Sequence, residues 1–227
     1  MLHEGALAEA LAGLGYKCVQ PFVYKAFSAG GLIQHYLYFT VWGTGNEFLS
    51  GDFGFRECQA QNFGIECVRL YGGAVYGALQ YDPEVDCSMT YSLGKLAAWG
   101  PRSSFNLAET PIETIVARVT SSVQKWVVPL IRELDDESKL LSVLVHDSEP
   151  CRWVYINGAI RAAQIIFLAS RQMIAWDKIE LSLAPFKKEI WANLGKGKNP
   201  DGFLSDVRAH FLEMVDRPEA KPARTLQ

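Results

Sequence analysis

Residues 32–42 read Leu-Ile-Gln-His-Tyr-Leu-Tyr-Phe-Thr-Val-Trp, and their alternation constrains the fold more than any other stretch of the chain. Leu37, Phe39 and Val41 take turns with Tyr36, Tyr38, Thr40 and Trp42. A period of two puts the two sets on opposite faces of a strand. The aliphatic face belongs in a core. The other carries amphipathic aromatics, the side chains that protein interfaces use as anchors. That second face has a plainer alternative, in which the rings pack beneath helices. A one-residue slip in register would exchange the two faces.

Neighbouring segments extend the pattern. An alanine-rich helix over 4–13 carries Leu7 and Leu11 at i, i+4 and is stopped by Gly13 and Gly15. Strands are expected near 17–27, 32–42, 51–58, 63–71 and 84–92, and the short loops between them predict an antiparallel meander. After an irregular stretch over 93–109 the period becomes helical. Thr110-Pro111-Ile112-Glu113 has the form of a helix start, with Thr110 as the cap. A stripe from Ile112 through Val119, Val123, Trp126, Val127 and Ile131 to Leu134 follows at helical spacing. Pro129 lies inside it and predicts a kink. Further helices are expected over about 137–145, capped by Asp135-Asp136, then 154–175, 178–194 with a break at Pro185, and 200–215.

Strands first and helices after define an α+β class. The expected architecture is an N-terminal antiparallel sheet of about five strands after a short helix, packed against a C-terminal set of about five helices. The span 1–216 reads as one domain, strand-rich over 16–92 and helical over 110–216, with 217–227 as a disordered tail.

Composition narrows the function classes. At 227 residues and 49% hydrophobic the chain can bury a substantial core. Its net charge of −3 lacks the basic surplus of a nucleic-acid binder, so no nucleic-acid partner is expected. The cysteines Cys18, Cys58, Cys67, Cys87 and Cys151 are odd in number and none forms a Cys-x-x-Cys pair, which argues against a disulfide framework or a zinc site. The first residues are acidic where a signal peptide needs basic ones, and the longest apolar run, around Ile165–Ala169, is far short of a membrane span. A cytoplasmic protein without a membrane partner is expected.

Catalytic patterns are weak. Gly195-Lys196-Gly197-Lys198 lacks the upstream Gly, the following Ser or Thr and the preceding strand of a phosphate loop, and reads as a basic linker. His3, His35, His146 and His210 are scattered, and His35 reads as a hydrogen-bonded core residue. Cys67 and Cys87 read as small core hydrophobes, and Cys58 follows Glu57, which disfavours a thiolate. His146-Asp147-Ser148 reads as a helix C-terminus. No enzyme activity, cofactor or metal is expected.

Carboxylates recur instead. Asp82, Glu84 and Asp86 are spaced to share a strand face, Glu47 and Asp52 flank the turn after the aromatic strand, and Glu133, Asp135, Asp136 and Glu137 cluster at a helix junction. Such groups either meet a basic patch on a partner or are solvated turns and caps. The candidate partner-binding set is Tyr36, Tyr38 and Trp42, with Asp52, Asp82, Glu84 and Asp86 as an electrostatic rim.

The order of elements adds a resemblance. A short helix runs through Gly15-Tyr16-Lys17 into a curved sheet, then comes a long helix containing Trp126-Val127-Val128-Pro129-Leu130, then an all-helical part. Over most of 1–195 this resembles immunity proteins of bacterial polymorphic toxin systems, in particular those guarding against restriction-endonuclease-like toxins delivered by type VI secretion. The resemblance implies a non-enzymatic protein that binds a cognate toxin and blocks its active site or its assembly. It assigns no residues. Two other readings stand beside it: a small-molecule-binding or enzymatic domain with a pocket between sheet and helices, and an adaptor that self-associates.

Overall fold

The computed structural model describes residues 4–44, 47–73, 86–87, 89–146, 154–155 and 157–216. In chain order, α1 (Glu4–Ala12) leads into β1 (Lys17–Gln20), β2 (Val23–Phe27), β3 (Ile33–Trp42) and β4 (Phe48–Glu57), and β4 continues directly into α2 (Cys58–Tyr71). Then come β5 (Met89–Ser92), α3 (Leu93–Leu96), β6 (Phe105–Asn106), α4 (Ile112–Ser122), α5 (Val128–Leu134), α6 (Glu137–Val145) and β7 (Val154–Tyr155). Helices α7 (Gly158–Arg171), α8 (Trp176–Leu183), α9 (Lys187–Ala192) and α10 (Pro200–Asp216) complete the chain. The class is α+β, with the sheet N-terminal and most helices C-terminal. The span read from the sequence as one domain contains two compact units: one takes residues up to Cys58 and 86–155, the other 59–73 and 157–216. The proposed tail 217–227 lies outside the described residues.

The first unit holds the sheet. Its strands are antiparallel in the order β1-β2-β3-β4-β5-β7, and β6 pairs with the start of β4. β3 and β4 form the longest ladder, from Ile33↔Glu57 to Trp42↔Phe48. Tyr24, Leu37, Phe39, Leu49, Phe53, Phe55 and Met89 share one face and are all buried. α1 packs on β1 and α4, and α5 packs on β3. The expected strand over 17–27 is two strands, because Pro21 and Phe22, at φ 60°, turn the chain between them.

The expected strand over 63–71 is instead the second half of α2. Ala60, Phe63, Gly64, Cys67 and Val68 are buried there, an i, i+3, i+4 stripe that no strand can produce. In the second unit this stripe meets α7, which is buried along nearly all its length from Gly158 to Ala169. Gly64 sits where an added Cβ would come 3.0 Å from the Ile160 carbonyl oxygen, so close helix packing explains a glycine in mid-helix. α7 begins at 158, not 154, because Asn157 caps it, its side-chain oxygen accepting from the N–H groups of Ala159 and Ile160 at 2.8 and 3.1 Å. The break expected at Pro185 is present as a 3₁₀ turn, Ala184–Phe186.

The long helix departs from the simple kink expected at Pro129. Residues Val123–Val127 form a π-turn between α4 and α5, in which the Val128 N–H donates to the Val123 carbonyl. Pro129 lacks an N–H and its ring crowds the carbonyl four residues back, and the wider turn relieves both problems. It also keeps one face in line. Ile115, Val119, Val123, Val127 and Ile131 are buried at steps of four, which on a regular helix drift by about 40° per step. Thr110 does not cap this helix: the first residue is Ile112 and no side chain bonds the free N–H groups.

Asp136 caps α6, accepting from Ser138 and Lys139 N–H at 2.9 and 3.0 Å. Asp135 does something else. Its carboxylate accepts from the Ser28 hydroxyl at 2.5 Å, the Leu32 N–H at 3.2 Å and the Gly30 N–H, pinning the β2–β3 turn to the end of α5. Partial burial works against the charge, but these three donors hold the carboxyl below its ordinary range. Asp135→Asn, with one acceptor oxygen where there were two, is expected to cost about 1–2 kcal/mol at neutral pH, read from urea unfolding. His35, hydrogen-bonded to the Tyr16 hydroxyl at 2.9 Å, is buried, and burial lowers its pKa from 6.5 to about 4. The unfolded chain binds that proton more readily, so stability is expected to fall as pH drops from about 6.5 to about 4. The Asp135 contribution goes only below that window, as the carboxylate itself protonates.

Candidate partner-binding face

The opposite face of the sheet carries the aromatics. The register puts Tyr38 beside Asp52, Thr40 beside Ser50 and Trp42 beside Phe48, with Lys25 across from Tyr36 and Ser92 across from Asp52. Apart from Tyr36 and Arg56, the larger side chains of this face are half-buried or exposed, and Phe27 at its margin is 59% exposed. The alternation in 32–42 separates the two faces at Leu37 and Phe39 against Tyr38, Thr40 and Trp42, but Val41 on the core side is exposed and Tyr36 on the other side is buried.

The predicted residues fare differently. Tyr36 is 0% exposed, which places it for packing rather than for contact. The Arg56 guanidinium lies 5.0 Å from its ring centre, and an Nη2 donor of Arg56 reaches the Tyr36 hydroxyl at 2.7 Å. Tyr36 also stacks on Tyr38 at 6.0 Å. Tyr38 is half-buried and its hydroxyl donates to the Cys87 thiol; burial first, then the neighbouring Cys87 and Asp86, keep it protonated. Asp86 belongs to the same neighbourhood, since its backbone carbonyl accepts from Arg56 Nη1 at 2.8 Å. Asp82 and Glu84 lie outside the described residues. Burial holds the Cys67 and Cys87 thiols up at about 12, so both are inert core thiols.

Trp42, half-buried like Tyr38, is the predicted anchor with an apolar partner, stacking on Phe48 at 4.9 Å and 23°. Phe48 in turn carries the exposed Arg102 guanidinium 5.8 Å from its ring centre. This Arg102–Phe48–Trp42 stack is a feature the sequence reading missed. Phe48 was legible as a strand neighbour of Trp42 once the ladder was placed. Arg102 was not, because it sits in an irregular loop at φ 63°.

Asp52 is the acid of the face. Burial raises its pKa, while the Ser92 hydroxyl and Lys95 pull it down less strongly. A carboxyl raised by folding favours its neutral form, so its charge costs stability above that pKa. Asp52→Asn is expected to leave thermal stability at neutral pH unchanged or slightly raised. The same substitution is expected to weaken a complex that uses the charge. Calorimetric melting and a binding titration on one preparation check both.

Chemistry elsewhere is sparse. Among the described residues no group of three or more His, Cys, Asp or Glu is placed to hold a metal, and no helix is long and apolar enough to cross a membrane. Gly195 in the Gly-Lys-Gly-Lys stretch donates its N–H to the Gly72 carbonyl at 2.6 Å, and its backbone packs against Gly73. The stretch is thus a pinned turn before α10. No protein-family model, curated protein or solved structure matches the chain.

Proposed function

We propose that this protein is an immunity protein that neutralises a cognate bacterial toxin, a nuclease effector, by direct stoichiometric binding in the cytoplasm. The observation that carries the reading is the Trp42–Phe48 end of this sheet face. There Trp42, stacked on Phe48, shares a surface with the half-buried carboxylate of Asp52. A stacked, half-buried tryptophan has the character of an interface hot spot. A carboxylate kept on that face against its own desolvation suits a cationic partner surface, such as the substrate groove of a nuclease.

Growth of a host expressing the toxin provides the test. Co-expression of this protein is expected to restore growth, and charge reversal at Asp52 or Asp86 is expected to slow association more than it speeds dissociation. Continued toxicity with both proteins present at equal levels would count against the proposal.

A further inference from the structure

The outer side of the long helix carries a second feature, separate from the sheet face. A groove of about 320 Å³ is lined by Ala97, Ala117, Arg118, Ser121, Lys125 and Trp126, together with the buried Ser122. No strand residue lines it, so it is not a pocket beneath the sheet. Its lining brings two cations and no carboxylate in a chain of net charge −3. Among the described residues no salt bridge to Lys125 or Arg118 is formed.

Local geometry holds the cations in place. Arg118 donates from Nη1 to the Trp99 carbonyl at 2.9 Å and from Nη2 to the Ala98 carbonyl at 3.0 Å. Two of its five N–H donors are used, so the guanidinium is oriented yet retains donors for a ligand. Lys125 stands 4.7 Å from the Trp126 ring centre, and that indole is still 37% exposed. Two unusual backbone features meet here. The π-turn Val123–Val127 carries Lys125 and Trp126. The loop that binds Arg118 holds Ala98, Arg102 and Ser103 at φ of 49°, 63° and 58°. Both types of departure from regular backbone concentrate at functional sites.

We propose that this groove binds a small phosphorylated ligand bearing a flat ring, of the mononucleotide class. Arg118 and Lys125 take the phosphate with the Ser121 hydroxyl as a further donor, and Trp126 supplies the surface for the ring. The volume is at the small end of ligand sites, which fits one nucleotide and not two.

The test is calorimetric titration of the full chain with adenosine monophosphate, inorganic phosphate and adenosine in turn. Adenosine monophosphate is expected to bind saturably and more tightly than either fragment, with an affinity that falls as salt rises. Lys125→Glu is expected to weaken it about tenfold or more without moving the melting temperature, because Lys125 is exposed. Trp126→Leu is expected to abolish the preference for the nucleotide over phosphate. Absence of saturable binding by all three probes, adenosine binding as tightly as its phosphate, or affinity indifferent to Lys125→Glu would each overturn the proposal.

Discussion

Trp99→Ala is expected to destabilise the protein by about 4 kcal/mol, the sum of a buried large-to-small change and a lost hydrogen bond. Trp99 is 2% exposed and stacks on Phe105 at 4.7 Å. Its ring lies over Gly51, where an added Cβ would come within 2.6 Å of it. Its Nε1 donates to the Ser122 hydroxyl at 2.9 Å, and that hydroxyl donates to the Arg118 carbonyl at 2.6 Å. Arg118 closes the circuit by donating back to the Trp99 carbonyl. One side chain therefore ties the sheet, α4 and the strained loop 97–103 together. A loss of about 4 kcal/mol is a large share of the roughly 5–15 kcal/mol that holds a domain folded. Trp99→Phe keeps most of the packing and is expected to cost about 1–2 kcal/mol, chiefly the lost indole donor. Urea unfolding with an unchanged slope and shifted midpoint separates the two variants.

Trp42→Ala is expected to weaken the proposed complex with a toxin by about 2 kcal/mol or more, roughly thirtyfold. Its effect on folding is expected to be smaller, about 1 kcal/mol, because Trp42 is only half-buried and loses mainly its stack on Phe48. Tyr36 supplies the contrast. It is fully buried against Arg56, so Tyr36→Ala is expected to act on stability first. Measuring affinity and urea stability for both variants distinguishes a contact residue from a packing residue.

What was legible in the chain followed from periodicity. The alternation of 32–42 predicts β3 and the burial of Leu37 and Phe39, but it fails at both ends of the pattern, since Val41 on the core face is 37% exposed and Tyr36 on the other face is buried. The cap at Asp136 and the break at Pro185 were legible because both are local chemistry. α2 was missed although Ala60, Phe63, Gly64, Cys67 and Val68 have helical spacing. Gly64 lowers helix propensity by about 1 kcal/mol relative to alanine, and only the nearness of Ile160 on α7 explains it. Asp135 was read as a cap because its true partners, Ser28, Gly30 and Leu32, are more than a hundred residues away in sequence. Alternation leaves Tyr36 open between partner contact and packing, because its burial comes from Arg56 and the neighbouring strands.

The Trp42–Phe48 end of the sheet face is proposed to hold one protein partner. Affinity capture tests it most directly, with the wild-type protein and Trp42→Ala as parallel baits in a lysate of the source organism with toxin secretion switched on. The expected result is one dominant nuclease-like protein in equal amount on the wild-type bait, strongly depleted on Trp42→Ala, whose toxicity the wild-type protein suppresses on co-expression. A lysate that yields no stoichiometric partner, or a partner recovered equally on both baits, would contradict it.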